Sequence, residues 1–236
     1  MRSAPVRSIA RPRLRPATAK RPGPTPAAGR ADAGTDTRDL IFAAAAADFS
    51  THGFDGVSVD AIAQTAGVNK AMIYYHFEGK LGLYRAVVRD MLSTVGGAAT
   101  VIAASAETPE KKIARFIQTL ATLREARPWF PPLMMREMAA GAPRLDGDTL
   151  ALMKAIFVAF GAILHAGVAA KVFRPVHPLL AYMSIMGPML MNAARERAAA
   201  QPGRADFPMF VPVDRRDLVA HMQDTALRML AKDRSR

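Results

Sequence analysis

Apolar residues recur along most of this chain at steps of three and four, the spacing that lines one face of an α-helix. Tyr84, Val87, Val88, Met91, Leu92 and Val95 mark out one long helix. Thr108 and Pro109 open another, with Ile113, Phe116, Ile117, Leu120 and Leu123 inward, and the cluster from Pro128 to Pro132 ends it. Periodic runs predict further helices near 133–140, 148–170, 178–200 and 215–232, and no run alternates as a half-buried strand would. The expected fold is all-α, with about nine helices. Two segments, 155–170 and 179–194, are unusually apolar. A membrane span needs roughly twenty apolar residues, and His165 and the pair Gly187-Pro188 interrupt these shorter ones. They predict helices buried on several faces, with no membrane partner.

The first third has a different grammar. Ile41, Ala45 and Phe49 stand at four-residue steps in a helix expected to open at Thr37, stop at Gly53 and be closed by Phe54 folding back. A second helix starts near Ser58, a hydroxyl cap, with Val59, Ile62 and Ala63 on one face. Gly67 suits the positive φ of a sharp turn, and Asn69 caps a third helix over 70–77. Ala63 permits close crossing, Gly67 turns the chain and Ile73 plugs the core, as a helix-turn-helix requires. With Ile73 and Phe77 inward, Lys70, Ala71, Met72, Tyr74 and His76 remain to meet something outside. An ordinary helical hairpin with a half-buried aromatic seam has the same spacing, so the flanks must decide.

Across residues 37 to 88, and most of all in the run AGV, then YYHF, then Lys80, the sequence resembles the amino-terminal domain of the tetracycline-repressor (TetR) family of bacterial transcription regulators. The resemblance implies a helix-turn-helix domain over 37–84 and a helical effector-binding and dimerisation domain over 85–236. It implies that Lys70, Ala71, Met72 and Tyr74 face the bases of double-stranded DNA, and that Tyr75 or His76, with Lys80, touches phosphates. Ser58 and Arg38 fall where the family touches the backbone. Lys80 opens the fourth helix, where charge and free amides both favour phosphate. Met72 departs from the small or hydroxylated residue of many relatives, so a contact there is apolar, as to a thymine methyl.

The same resemblance implies a homodimer paired through the helices near 178–200 and 215–232, with Leu218, Met222, Ala226 and Met229 on the latter's apolar face. A palindromic operator follows, because a two-fold dimer reads two half-sites. It further implies a cytoplasmic repressor released by a small, apolar effector held among Phe116, Trp129, Phe130, Met134, Met138, Phe157, Phe160, Met183 and Met186, with Arg136, Glu137, His165 and His177 as candidate polar anchors. Residue by residue, ordinary core or surface is the plainer reading of these positions.

Composition narrows the alternatives. The chain of 236 residues carries 14 Met and no Cys, which excludes disulfides and thiolate metal sites and suits an adaptable core. No Gly-rich phosphate loop, nucleophile elbow or metal-spaced pair appears among His52, His76, His165, His177 and His221, so neither an enzyme nor a cofactor is expected. The net charge of +12 suits a polyanion, yet residues 37–84 are slightly acidic. Half of the excess lies in 1–36, where eight Lys or Arg face Asp32 and Asp36 and six prolines oppose a helix. That segment is expected to be a disordered basic arm, either a solvated tail or a sequence-blind contact along DNA. A ligand-independent architectural DNA-binding protein is the alternative to a regulator.

Overall fold

The computed structural model describes residues 30–204 and 207–232. Among them run nine α-helices and one 3-10 turn: α1 (Arg30–His52), α2 (Val59–Ala66), α3 (Ala71–Phe77), α4 (Lys80–Ala104), α5 (Pro109–Ala126), α6 (Phe130–Ala139), α7 (Gly147–Ala169), α8 (Pro178–Ala199), the turn Pro208–Phe210 and α9 (Arg215–Leu230). The one β-type pairing among them is an isolated bridge between Phe173 and Ala231, which ties the end of α9 to the segment after α7.

The head is α1 to α3 with the start of α4. Ile41, Ala45 and Phe49 are fully buried on α1, and Ile62, Ala63, Ile73 and Phe77 meet them from α2 and α3. Helix α1 begins at Arg30, so Thr37 lies inside it and is not its cap. The physical reason is in the sequence: the six early prolines end at Pro26, and nothing from Arg30 to Asp36 forbids helical backbone. The arm expected over 1–36 thus overlaps α1 from Arg30 onward, and its residues 1–29 lie outside the described residues.

Helix α4 belongs to head and body alike. Its first turns carry Leu83 and Tyr84 into the head core, and its later turns pack extensively on α7. Gly96 brings α4 close to Ile156 of α7. Both helices are long and apolar enough to cross a membrane by length and composition. Each also carries charged or polar side chains within that length: Arg85, Arg89 and Asp90 on α4, Lys154 and His165 on α7.

One expected boundary moves. Helix α5 ends at Ala126, but Pro131 and Pro132 sit in the first turn of α6 instead of closing α5, because a helix's first N–H groups have no internal acceptor and proline loses nothing there. Helix α8 runs unbroken through Gly187 and Pro188. Helix α9 lies chiefly on α5, where Gln223 Nε2 donates to the Ala114 carbonyl at 2.9 Å. Met222 and Ala226 are buried and Leu218 and Met229 half-buried within the same chain. The apolar face expected to meet a second subunit on α9 is thus largely used by the protomer's own core. On α8, by contrast, Leu180, Met183 and Met191 stand exposed.

Candidate nucleic-acid interface

Local chemistry fixes the turn that aims α3. The Ser58 hydroxyl accepts the Ala61 N–H at 3.0 Å, which satisfies one free amide at the start of α2. Gly67 takes φ 68°, and its N–H and that of Val68 return to the Gln64 and Ala63 carbonyls at 3.1 and 3.0 Å. A side chain at this left-handed position would be strained, so glycine makes the stop. Asn69 Oδ1 then accepts the Ala71 N–H at 2.9 Å and starts α3 one residue later than the spacing predicts.

Ile73 and Phe77 pin the inner face of α3, and two large aromatics are left outside it: Tyr74 is 57% exposed and Tyr75 79%. Lys70 and Ala71 are exposed beside them, and Met72 is half-buried against the core. Tyr74 lies over Gly79, where a Cβ would stand 3.4 Å from its Cε1, so the bend between α3 and α4 seats the ring. His76 is less available: it is half-buried with Tyr75 edge-on at 4.9 Å, and its Nε2 is closed off without a partner. Of Tyr75 and His76, only Tyr75 is presented. Lys80 Nζ sits 4.3 Å above the Phe54 ring at the head of α4, and Arg38 lies 5.1 Å over Phe77, so each cation is held by an aromatic face.

Lys70 also pairs with Asp60 at 3.1 Å, both well exposed, which sequence spacing did not reveal. An exposed pair is worth at most about 1 kcal/mol, and Asp60 is repelled by any phosphate that Lys70 approaches. Asp60→Asn is therefore expected to tighten DNA binding, by up to about fivefold at low salt and less at high salt. Fluorescence anisotropy with labelled duplex across a salt series measures it.

A second cluster was not foreseen and joins head to body. Glu137 on α6 is 1% exposed, accepts the Tyr84 hydroxyl at 2.7 Å and the Arg144 N–H at 2.9 Å, and meets the Arg144 guanidinium at 3.3 Å. Burial and this carboxylate push the Tyr84 hydroxyl well above the ordinary tyrosine range. Arg144 reaches on to Asp55 in the head at 2.6 Å and lies 4.6 Å over Phe54. Arg136 donates to the Ser50 and Thr51 carbonyls at the end of α1. Arg85 and Arg89 of α4 bind Asp146, whose carboxyl is held well below the usual carboxylate range chiefly by Arg89. Arg136 and Glu137, expected as polar anchors for an effector, are instead fasteners between the two parts. The available signal was a glutamate at an inward position of an apolar helix, which must find partners.

The expected effector residues do not form one wall. Phe130 and Met186 line an apolar cavity of about 60 Å³ with Met91, Leu92 and Val95 of α4, Ile156 of α7, and Arg124 and Tyr182. Phe116, Phe160 and Met134 are buried core, with Phe116 and Phe160 rings 5.3 Å apart, and Phe157 packs on Tyr182 at 4.5 Å. Trp129 lines a separate open cleft with Phe42 and Arg38 between head and body. Met138 and Met183 are exposed, since their helical positions fall on outer faces of α6 and α8. His165 and His177 are exposed and away from the cavity lining. Among the described residues no group of three His, Asp or Glu could hold a metal.

A trihelical head with a glycine-turned outer helix, joined by one long shared helix to an all-helical body, defines the helix-turn-helix DNA-binding regulators. Residues 41–87 match the family model of bacterial regulatory proteins of the tetR family, and residues 109–206 match a tetracyclin repressor-like C-terminal domain. The HTH-type transcriptional regulator RutR of Escherichia coli (strain K12) is 30% identical over 141 residues, which cover 60% of this chain and 66% of RutR. The negative transcriptional regulator IcaR of a Staphylococcus aureus (strain Newman) biofilm operon is 38% identical over 52 residues, 22% of this chain and 28% of IcaR. The TetR family transcriptional regulator PfmR of Thermus thermophilus superimposes with a TM-score of 0.62 at 27% identity, over 83% of this chain and 97% of PfmR. The chain belongs to the TetR family, whose members are transcription regulators and not enzymes.

Proposed function

We propose that this chain is a cytoplasmic, ligand-responsive repressor that binds a palindromic operator as a homodimer and leaves it when a small, largely apolar effector occupies the body. The observation that carries the reading is the exposed pair Tyr74 and Tyr75 beside Lys70 on a helix whose direction is locked by Gly67. Large aromatics at the tip of a domain, next to a cation, suit stacking and hydrogen bonding to bases and phosphates. Repression is supported by the description of IcaR as a negative regulator. The exposed row Leu180, Met183 and Met191 on α8 supports a second copy there, with α9 contributing less than its sequence pattern implies.

Release needs an effector that favours a head geometry unfit for DNA. The cavity supports this because Met91, Leu92 and Val95 of its lining lie on α4, whose first turns position the head. Its volume of about 60 Å³ is well below the roughly 300–1,000 Å³ of occupied small-molecule sites, so filling it must part the helices around it.

The test is selection from random duplexes followed by sedimentation of the complex. Two chains on an inverted repeat, with half-sites roughly 34–36 Å apart or a multiple of that, are expected. One chain at the best site would overturn the dimer reading. Equal affinity for unrelated sequences would overturn the regulator in favour of an architectural protein.

A further inference from the structure

The cavity is apolar except for two side chains that face no acceptor of their own there. Arg124 of α5 gives one nitrogen to Glu196 of α8 at 2.5 Å, while its Nε is buried without a hydrogen-bond partner. Tyr182 of α8 lines the same space with no hydrogen bond to its hydroxyl among the described residues, and burial alone pushes that hydroxyl up to about 12. Everything else on the wall is aliphatic, aromatic or thioether. Both polar groups can donate at neutral pH; Arg124 only donates and cannot become neutral, whereas the Tyr182 hydroxyl can also accept. An unpaired guanidinium nitrogen at the edge of an apolar cavity selects an acceptor, and its fixed positive charge selects an anionic one.

Arg124 also lines an outer cleft of about 410 Å³, with Pro131 shared between the two spaces and Glu196 on the cleft side. Glu196 is 43% exposed at its side chain and is held on its own helix by Asn192 Nδ2 at 2.8 Å. It can therefore leave Arg124 for water without losing its place. The Arg124–Glu196 pair is the polar link between α5 and α8 at the cavity's edge, and a protein carboxylate already occupies the guanidinium as a ligand's would.

Resting on the reading of this body as an effector site, we propose that the effector is an apolar carboxylic acid, whose carboxylate binds Arg124 and Tyr182 in place of Glu196 and whose hydrocarbon part enters the Met- and Leu-lined cavity. Displacing Glu196 unlinks α5 from α8 and opens the small cavity to the larger cleft. The protein's internal pair thus acts as a latch that an uncharged molecule cannot release.

The experiment compares matched probes on the full chain by calorimetry: butyrate, octanoate and dodecanoate against butanol, octanol and dodecanol. In at least one pair the acid is expected to bind at least about tenfold tighter than the alcohol, as hydrogen bonds to charged groups imply. Arg124→Met removes that preference, so that acid and alcohol of each pair bind alike, and Tyr182→Phe reduces it severalfold. Glu196→Gln tightens acid binding, because the internal competitor has lost its charge, and a merely structural ion pair would give the opposite. Should Arg124→Met fold poorly, the Glu196 and Tyr182 variants decide alone. Equal binding in every pair, no binding by any acid, or a preference that survives loss of Arg124 overturns the proposal. Acids that bind with the expected preference but never release operator DNA would uphold this inference and overturn the repressor reading. Release by alcohols alone would do the reverse.

Discussion

Replacing Glu137 by alanine is expected to lower the melting temperature by roughly 6–20 °C, the largest single-residue effect foreseen in this chain. The carboxylate is 1% exposed and serves Tyr84 of α4, the Arg144 backbone and the Arg144 guanidinium together. Its removal leaves the Tyr84 phenol and the Arg144 backbone N–H without their acceptor in a place water reaches poorly, while the Arg144 guanidinium keeps only Asp55. Breaking a buried pair from one side costs roughly 3–5 kcal/mol, and in a chain of this size each kcal/mol moves the midpoint by about 2–4 °C. Arg136→Ala is the control: its bond to the Thr51 carbonyl is exposed and its bond to the Ser50 carbonyl only part-buried, so a loss of about 1 kcal/mol is expected. Equal losses from the two variants, in thermal melts followed by circular dichroism, would show that burial of the carboxylate is not the cause. Because the cluster joins α6 to α4 and Asp55 of the head, Glu137→Gln is expected to keep most of the fold while weakening the link between body and head.

The second large effect concerns recognition. Tyr74→Ala is expected to reduce affinity for the preferred operator roughly a thousandfold while leaving affinity for unrelated DNA nearly unchanged. A lost base contact costs about 1–3 kcal/mol per site, and a homodimer would lose it in both half-sites at once. Tyr74 is more than half exposed and lies over Gly79, so stability should hardly move. Lys80→Ala is expected to behave differently. Its ammonium lies over Phe54 at the first turn of α4, where phosphate would also be favoured, so its loss weakens binding to every sequence alike and flattens the salt dependence. Gel-shift titrations with operator and scrambled duplexes at several salt concentrations separate the two patterns. A Tyr74 variant that loses both kinds of DNA equally would move the residue from base reading to backbone contact.

Some of this molecule was written locally and could be read locally. Ser58, Gly67 and Asn69 act on their own backbone within three or four residues, so the sequence alone placed the turn and left Lys70, Ala71 and Tyr74 on the outside, whereas Met72 and His76, expected there too, are half-buried and Tyr75 is exposed instead. The inward set Ile41, Ala45, Phe49, Ile62, Ile73 and Phe77 followed from helical period for the same reason. The nine-helix, all-α reading also held, since each helix carries its own apolar stripe. Where local signals misled, the competing rule is also local: Thr37 resembles a cap but lies inside α1, and the Pro131 and Pro132 pair, read as a stop, opens α6.

What only the tertiary structure decided are the facts that depend on which faces meet. Periodicity says that Met183, Met186, Leu218 and Met222 are apolar and helical, but not whose surface covers them. Packing put Met222 inside the protomer, left Met183 in the open and set Met186 on the cavity beside Arg124. Glu137 with Tyr84 is separated by 53 residues, Arg144 with Asp55 by 89 and Arg124 with Glu196 by 72. No spacing rule pairs charges across such distances. Their partners are fixed by the closing of α4, α5, α6 and α8 around one another, because a buried charge is tolerated only where the whole fold supplies its counterpart.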